Sequence, residues 1–259
     1  MNFQEIISIA INNWHIIILF FTIALLYSSV GFGGGSSYLA VLALTGFAFT
    51  QIRATALLCN IIVVTGNVFY FQQQKVYNYK KVIPLVLFSV PFAFIGGYLK
   101  ISQTFFFILL GFTLLFAAIT MWVSKKIIAP EGKPIKNNTT KNASLGGIIG
   151  FVSGMVGIGG GIFLAPILHL TKWDTPKKIA ATASLFIFVN SVAGLGGQYL
   201  NPDFNIDWQL TSVLLITVLI GGQLGSRISN KFLNPIQLKR ATAVLIAFVS
   251  VRILWNYLM

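Results

Sequence analysis

The feature that most constrains the fold is a glycine-rich turn that occurs twice, each time between two apolar segments. Residues 30–35 read Val-Gly-Phe-Gly-Gly-Gly, and residues 156–161 read Val-Gly-Ile-Gly-Gly-Gly. A glycine inside a helix costs about 1 kcal/mol relative to alanine, so strings of this kind disfavour a continuous helix. We therefore predict that the backbone is unwound at both turns.

The composition indicates that most of the chain lies in lipid. Of 259 residues, 56% are hydrophobic and 9% are charged, and the mean hydropathy is +0.83. A soluble domain of this size cannot bury so much apolar surface. The first basic residue is Arg53, so the first apolar run lacks the basic flank of a signal peptide, and we expect it to be retained. The predicted fold class is an all-α polytopic membrane protein.

Apolar runs between polar breaks predict ten membrane segments, five in each half. Segments 36–49, 144–157 and 161–171, beside the glycine turns, reach only about 16 to 21 Å at 1.5 Å per residue. A bilayer core is about 30 Å thick. We therefore expect a broken-helix hairpin at each glycine turn, with its tip near mid-membrane. The ten segments are 14–30, 36–49, 53–71, 82–99, 104–123, 144–157, 161–171, 178–199, 209–226 and 238–258.

The two halves repeat each other beyond the glycine turns. Residues 54–56 and 181–183 both read Ala-Thr-Ala, and a Gly-Gly pair follows in each half, at 96–97 and 221–222. Because five segments per half is an odd number, the second copy is expected to sit upside down relative to the first. Secondary transporters use this inverted-repeat plan. The predicted organisation is a first repeat at 1–123, a cytoplasmic linker at 124–142 and an inverted second repeat at 143–259.

The basic residues predict the orientation in the membrane. Fifteen of the 18 Lys and Arg residues fall in connections on one side of the predicted bundle. The positive-inside rule puts that side in the cytoplasm and both termini outside. These loops also face anionic lipid, so the net charge of +13 is explained without nucleic acid. Cys59 is the only cysteine, which excludes a disulfide framework and a cysteine-rich metal site, and we expect no metal.

The glycine turns are the predicted binding site for an anion. A helix that begins at such a turn presents unpaired backbone N–H groups and the positive end of its dipole. Ser36 and Ser37 add hydroxyl groups at the first turn, whereas Ile162 and Phe163 take their places at the second. Arg53 is predicted to attract anions to the outer mouth, with an interfacial role in topology as the alternative.

Neutral polar side chains within the segments are predicted to complete the lining of this site. The predicted substrate-binding residues are Gly31, Gly33, Gly34, Gly35, Ser36, Ser37, Thr55, Asn60, Gly157, Gly159, Gly160, Gly161, Thr182, Ser184 and Asn190, with Thr65, Asn67 and Ser191 as further polar candidates.

The paired glycine turns, the Ala-Thr-Ala segment after each and the paired Gly-Gly helices resemble the TauE/SafE family of sulfite exporters over nearly the whole chain. The resemblance implies export of sulfite, sulfoacetate or a related sulfur-containing anion across a bacterial inner membrane, without ATP hydrolysis. The termini would then be periplasmic. We expect no enzymatic activity and no cofactor. The expected partners are the anion and membrane lipid, and the oligomeric state stays open, a homo-oligomer included.

The mechanism is predicted to be alternating access assisted by the membrane potential. All five acidic residues fall in tails or connections, so no carboxylate is placed to relay protons. An anion that leaves a negative interior gains about 2.3 kcal/mol per charge per 100 mV. Coupling to Na⁺ or to a proton on the substrate stays open. The alternatives are an anion channel with the same site and an intramembrane serine hydrolase that uses Ser36 with His15 or His169.

Overall fold

The computed structural model describes residues 3–123, 139–228 and 235–258, and all the regular secondary structure in these ranges is helical. The helices are α1 (Phe3–Asn12), α2 (Trp14–Ser29), α3 (Gly35–Ala43), α4 (Phe49–Gln73), α5 (Tyr79–Tyr98), α6 (Gln103–Val123), α7 (Thr139–Val156), α8 (Gly161–Leu170), α9 (Pro176–Tyr199), α10 (Trp208–Ile228) and α11 (Pro235–Leu258).

Five of the described helices, α4, α5, α6, α9 and α10, are long and apolar enough to cross a membrane. This finding confirms the predicted class, an all-α polytopic membrane protein. Two features differ from the predicted segments. The short helix α1 precedes the first of them, and α7 begins at Thr139 rather than near residue 144. With 18 residues, α7 is about 27 Å long, because a search for apolar runs misses its polar first turn.

The polar N-terminal residues of α7 lie within the predicted linker. Of residues 124–142, the structure describes 139–142, and these four residues are helical. Asn142 packs against the next part of the chain, since the Trp173 indole N–H donates to its side-chain oxygen at 3.2 Å. The remainder of the predicted linker, 124–138, lies outside the described residues.

Both glycine strings interrupt helices, as predicted. The first turn, residues 30–34, separates α2 from α3, and the second turn, residues 157–160, separates α7 from α8. Gly34 and Gly160 immediately precede α3 and α8, and both have left-handed backbone conformations, with φ of 89° and 82°. Residues with a Cβ rarely adopt that conformation. The following helices, α3 and α8, have nine and ten residues, so each is about 14 to 15 Å long and cannot span the membrane.

Glycines bring α7 against α5. A Cβ on Gly146 would collide with the carbonyl oxygen of Leu85, and one on Gly154 would collide with that of Ala93. Small residues allow such close backbone approach between membrane helices. Because both contacts advance by two turns in the same direction, α5 and α7 run parallel.

A second close pair involves α2 and α10. A Cβ on Gly221 would lie 2.7 Å from the carbonyl oxygen of Phe21, and one on Gly225 would collide with that of Leu25. These helices are therefore also parallel. Each long arm of a glycine hairpin thus packs on the helix that carries the Gly-Gly pair of the other half.

The two ends of the bundle differ in charge. We call the end with connections 74–78 and 171–175 the basic end, and the end with connections 99–102 and 200–207 the opposite end. At the basic end, the Lys81 ammonium contacts Asp174 at 3.1 Å and donates to the Trp173 carbonyl oxygen at 2.8 Å. At the opposite end, Lys100 and Asp203 form a more exposed pair at 3.8 Å.

Candidate functional site

A cavity of about 510 Å³ lies between the two glycine hairpins. Its lining includes Tyr70 near the end of α4, Lys177 in the first turn of α9 and Ser226 near the end of α10, all at the basic end. No residue of the opposite-end connections 99–102 and 200–207 belongs to the lining. The cavity therefore opens toward the basic end.

The two glycine turns meet at the inner wall of this cavity. A Cβ on Gly35 would lie 2.6 Å from the carbonyl oxygen of Ile158 in the second turn. Asn60 of α4 bridges the turns, because its side-chain amide donates to the same Ile158 oxygen at 2.8 Å while its carbonyl oxygen faces Gly33. Asn60 is fully buried, and no described residue donates to its side-chain oxygen. One polar side chain thus connects both hairpins.

Polar groups gather on the side of the first turn. Gly35 and Ser36 open α3, line the cavity and carry backbone N–H groups that have no carbonyl acceptor within the helix. Asn67, about two turns farther along α4 than Asn60, also lines the cavity, and its amide nitrogen is buried without a hydrogen-bond partner in the described structure. An unpaired buried donor costs about 1 to 3 kcal/mol. This wall therefore has donors for a ligand with acceptor oxygens.

The side of the second turn is apolar. Ile162 and Pro166 of α8 and Ile187 of α9 line the cavity there. A Cβ on Gly161 would collide with Ile187, just as a Cβ on Gly35 would collide with Asn60. Ile187 therefore occupies the place at the second turn that Asn60 occupies at the first.

The structure brings together seven of the residues predicted to bind substrate. They are Gly31, Gly33, Gly34, Gly35, Ser36, Asn60 and Gly161, and all line the cavity. The other eight, Ser37, Thr55, Gly157, Gly159, Gly160, Thr182, Ser184 and Asn190, lie outside its lining.

The polar members of that second group bond within the protein. Ser37 and Tyr27 share a hydrogen bond at 2.8 Å, and the Thr182 hydroxyl donates to a carbonyl oxygen one turn earlier in α9, also at 2.8 Å. The Ser184 hydroxyl donates to the Gly31 carbonyl oxygen and so ties α9 to the first turn. Ser184 therefore supports the first turn, and none of these side chains lines the cavity.

Arg53 lies inside the bundle, not at an exposed outer mouth. It is only 3% exposed, and its guanidinium donates to the carbonyl oxygens of Gly154 at 3.3 Å and Gly97 at 3.5 Å. The second turn packs over it, since a Cβ on Gly157 would lie 3.1 Å from the Arg53 Cα. In this conformation Arg53 has no access to solvent through which to attract an anion.

Two ionisable cavity residues were not among the predicted binding residues. They are Lys177 and His169, and both line the cavity near its opening. Their positions at the end of the second hairpin, in the last turn of α8 and the first turn of α9, could have indicated this role. His15 is exposed in the first turn of α2, about 20 Å along the helix from the first glycine turn. It is therefore too far to act as a base for Ser36.

Comparison with known proteins identifies related sequences over almost the full length. The profile of the family described as "Sulfite exporter TauE/SafE" matches residues 16–253. The probable membrane transporter protein y4hK of Sinorhizobium fredii is 33% identical, over 92% of this chain and 96% of that protein. The probable membrane transporter protein MJ0441 of Methanocaldococcus jannaschii is 26% identical, over 83% of this chain and 86% of that protein. No solved structure matches the chain.

Proposed function

Since the chain belongs to the TauE/SafE family and is a membrane transporter, we propose that it exports a small sulfur-containing anion, such as sulfite, sulfoacetate or a similar sulfonate. The anion binds at the first glycine turn, against the start of α3. The observation that carries this proposal is the group of donors on residues of the cavity lining: the first N–H groups of α3, and the amide nitrogen of Asn67, which is buried and unpaired in the described structure.

The electrostatics of the cavity favour an anion. Among the described residues its lining contains no Asp or Glu, and Lys177 adds positive charge near the opening. The dipole of α3 directs its positive end at the same wall. A cleft lined by one sign of charge raises the local concentration of ions of the opposite sign. Sulfite and sulfonates are compact anions with several acceptor oxygens, which match this set of donors.

The transport mechanism that we propose is alternating access. The cavity opens to the basic end alone, so this conformation is open to the cytoplasm if the positive-inside rule holds, with both termini in the periplasm. The two parallel pairs, α5 with α7 and α2 with α10, support an inverted repeat. The repeat relates α2 to α7 and α5 to α10, and the pair of α5 with α7 runs from the basic end whereas the pair of α2 with α10 runs from the opposite end. The membrane potential drives the anion outward without a coupled ion.

A channel fits the cavity less well than a transporter. Conduction through a channel requires a continuous pore, whereas this cavity reaches one end of the bundle only. Flux measurements in proteoliposomes separate the two mechanisms. We expect flux to saturate with substrate concentration; a linear rise over the whole range would favour the channel.

Ligand binding provides the direct test of the proposed site. Purified protein is screened by thermal shift against sulfite, thiosulfate, sulfate, sulfoacetate, taurine and acetate, with chloride at matched ionic strength as the baseline. We expect one sulfur-containing anion to raise the melting temperature, because a ligand that binds only the folded state stabilises it. Shifts no larger than that of chloride would contradict the proposal.

A matched pair of variants on α4 locates the binding site. Asn67→Leu keeps the approximate size of the side chain but removes the unpaired donor in the cavity wall, so we expect the ligand-induced shift to be lost. Thr65→Val is the control, because Thr65 is exposed, lies outside the cavity lining and donates to the Ile61 carbonyl oxygen of its own helix. Equal shifts in both variants would move the site away from the first turn.

A further inference from the structure

Between the second turn and the opposite end, three buried polar side chains have unsatisfied groups. The Nε of Arg53, the hydroxyl of Ser153 and the amide nitrogen of Gln198 are all buried without a hydrogen-bond partner in the described part of the chain. These residues are between 0% and 4% exposed. Buried polar groups in native proteins are nearly always paired, so three unpaired groups in one region require an explanation.

The repeat relates these three residues to the open cavity. Arg53 immediately precedes the first Ala-Thr-Ala, and Ala180 immediately precedes the second. Ser153 lies four residues before Gly157, as Tyr27 lies four before Gly31. Gln198 lies fifteen residues after the second Ala-Thr-Ala, as Phe71 does after the first. All three counterparts, Ala180, Tyr27 and Phe71, line the cavity that opens to the basic end.

Contacts at the turns agree with this correspondence. A Cβ on Gly31 would lie 3.5 Å from the Ala180 Cβ, and one on Gly157 would lie 3.1 Å from the Arg53 Cα. Equivalent pairs of residues are therefore in contact at both turns. At the first turn it borders open space, because residue 180 is an alanine. At the second turn the long side chain of Arg53 fills the equivalent region.

The bonds of Arg53 connect three elements that must separate if the opposite end is to open. Its guanidinium extends from α4 to the Gly97 carbonyl oxygen of α5 and the Gly154 carbonyl oxygen of α7. None of the described ion pairs includes Arg53, so its charge is balanced by carbonyl dipoles alone. A buried charge without a counter-ion is costly and, inside a membrane protein, marks a functional pathway.

We propose that this region is the closed second half of the transport path, that Arg53 holds it shut, and that Arg53 becomes a second contact for the anion when the opposite end opens. The identity of the solute rests on the proposed function. In the present conformation the Gly97 and Gly154 carbonyl oxygens occupy the guanidinium. On opening, the anion replaces these carbonyl groups, while Ser153 and Gln198 gain water or the anion as partners.

Cysteine accessibility tests the proposal without any substrate. In a Cys59→Ala background, which contains no other cysteine, Ser153→Cys and Gln198→Cys are made separately and reconstituted in vesicles. Ser226→Cys reports on the open cavity, and the face from which it reacts defines the basic end. A membrane-impermeant maleimide is then added to the other face. With Arg53 present we expect slow labelling at positions 153 and 198.

Removal of the Arg53 contacts that keep the opposite end closed should shift the equilibrium between the two conformations. Arg53→Met keeps an unbranched side chain but removes the charge and both charge-assisted bonds, so we expect labelling of Ser153→Cys and Gln198→Cys from the opposite face to rise about tenfold or more. Labelling of Ser226→Cys from the basic face should fall. An increase at all three positions would indicate general loosening and would overturn the proposal, as would no change at any of them.

Arg252→Met is the matched control, because Arg252 is exposed on α11. A rise in labelling as large as that of Arg53→Met would show that loss of any arginine suffices, and would overturn the proposal. If Arg53→Met does not fold, the variants with native Arg53 still decide. Positions 153 and 198 must then label slowly but to completion from the opposite face, and complete protection would refute a second half-path.

A labelling experiment with an added anion distinguishes failure of this proposal from failure of the proposed function. Methanesulfonate, which does not react with maleimide, is added at the opposite face. We expect it to slow labelling of Ser153→Cys in the open state of the Arg53→Lys variant, which keeps a cation, and not in Arg53→Met. If no anion slows labelling at any position but Arg53→Met still exposes positions 153 and 198, the assignment of the solute is wrong. The proposal that Arg53 keeps the opposite end closed is then still supported.

Discussion

The two glycine turns have nearly the same sequence and share left-handed glycines at two equivalent positions, Gly31 with Gly157 and Gly34 with Gly160, yet different side chains face the cavity beside them. Asn60 and Ser36 line the cavity at the first turn, and Ile187 and Ile162 line it at the second, although the Ser191 hydroxyl and the Asn60 amide also lie close to Gly159. Backbone shape is therefore duplicated except at Gly159, which has a φ of 82° whereas Gly33 does not have a positive φ, and the side chains that face the cavity differ. The comparison indicates that the repeat supplies a scaffold with two helix starts, and that only one of them was developed into a wall of hydrogen-bond donors.

Conversion of the first turn to the chemistry of the second should have the largest effect. Asn60→Ile leaves the Ile158 carbonyl oxygen without its donor and forces a branched side chain against Gly33 and Gly35. We expect the free energy of unfolding to fall by about 2 to 4 kcal/mol and ligand binding to be lost. Thermal unfolding of the purified protein, with and without ligand, measures both effects.

Ile61→Val is the control for that substitution, since Ile61 is the next residue of α4 and lies outside the cavity lining. It should cost about 1 kcal/mol and preserve binding. An Asn60→Ile protein as stable as the control would show that Asn60 does not hold the two turns together.

The backbone of the second turn provides the next test. Gly160→Ala combines a φ of 82° with a Cβ that would lie 2.7 Å from the Phe186 ring. The left-handed conformation alone costs about 1 to 2 kcal/mol for a residue with a Cβ, and the collision adds to this cost. Gly46→Ala is a matched control, because Gly46 has a φ of 76° with no atom within 4 Å of its Cβ position.

We therefore expect Gly160→Ala to lower the free energy of unfolding by about 1 kcal/mol or more beyond the effect of Gly46→Ala. Denaturant titrations of both variants measure the difference. Equal losses would mean that the second turn adapts freely to a methyl group, so that close packing does not fix its shape.

A third test concerns the connection after each hairpin. The second hairpin is followed by Asp174, which contacts Lys81 and Lys178. Burial alone would raise the pKa of Asp174, but the Thr175 backbone N–H and the Lys81 ammonium outweigh it and hold this pKa below its usual value. A carboxyl whose pKa is lowered by folding adds stability above its unfolded pKa, and this stability is lost as the pH falls through the folded value.

Acid should therefore weaken the attachment of the second hairpin. We expect Asp174→Asn to lower the free energy of unfolding at pH 7 by about 1 kcal/mol and to flatten its dependence on pH below about 4. Asp203→Asn is the control, because the Asp203 pair with Lys100 is more than half exposed at both side chains. If the two variants have the same pH dependence, Asp174 does not anchor the hairpin.

The sequence predicted the class, the unwound turns and a polar first turn, because glycine strings and apolar runs have local causes. It did not distinguish lining from supporting polar residues. Thr55 and Ser184 have side chains as polar as that of Asn60, but Thr55 bonds to Thr211 on α10 and Ser184 to the first turn. Which face of a helix meets which neighbour depends on packing between distant segments. For the same reason the burial of Arg53 could not be read from its place near a segment end.

The smallest expected effect comes from exchanging the residues that open the two short helices. Ser36→Ala removes a hydroxyl from the cavity wall but leaves the backbone N–H groups of α3 in place. One neutral hydrogen bond contributes about 0.5 to 1.5 kcal/mol, so anion affinity should weaken only about three- to tenfold, with little change in unfolding. Isothermal titration with the anion found by the thermal screen measures this loss.

The reciprocal change, Ile162→Ser, places a hydroxyl at the equivalent position of the second turn. We expect no gain in affinity, because Ile187 still takes the place of an asparagine there and the neighbouring Pro166 offers no donor. If Ile162→Ser bound the anion more tightly, or compensated for Ser36→Ala in the double variant, the second helix start would be a working half of the site. The difference between the binding turn and the apolar turn would then depend only on the side chains of Ser36 and Ile162.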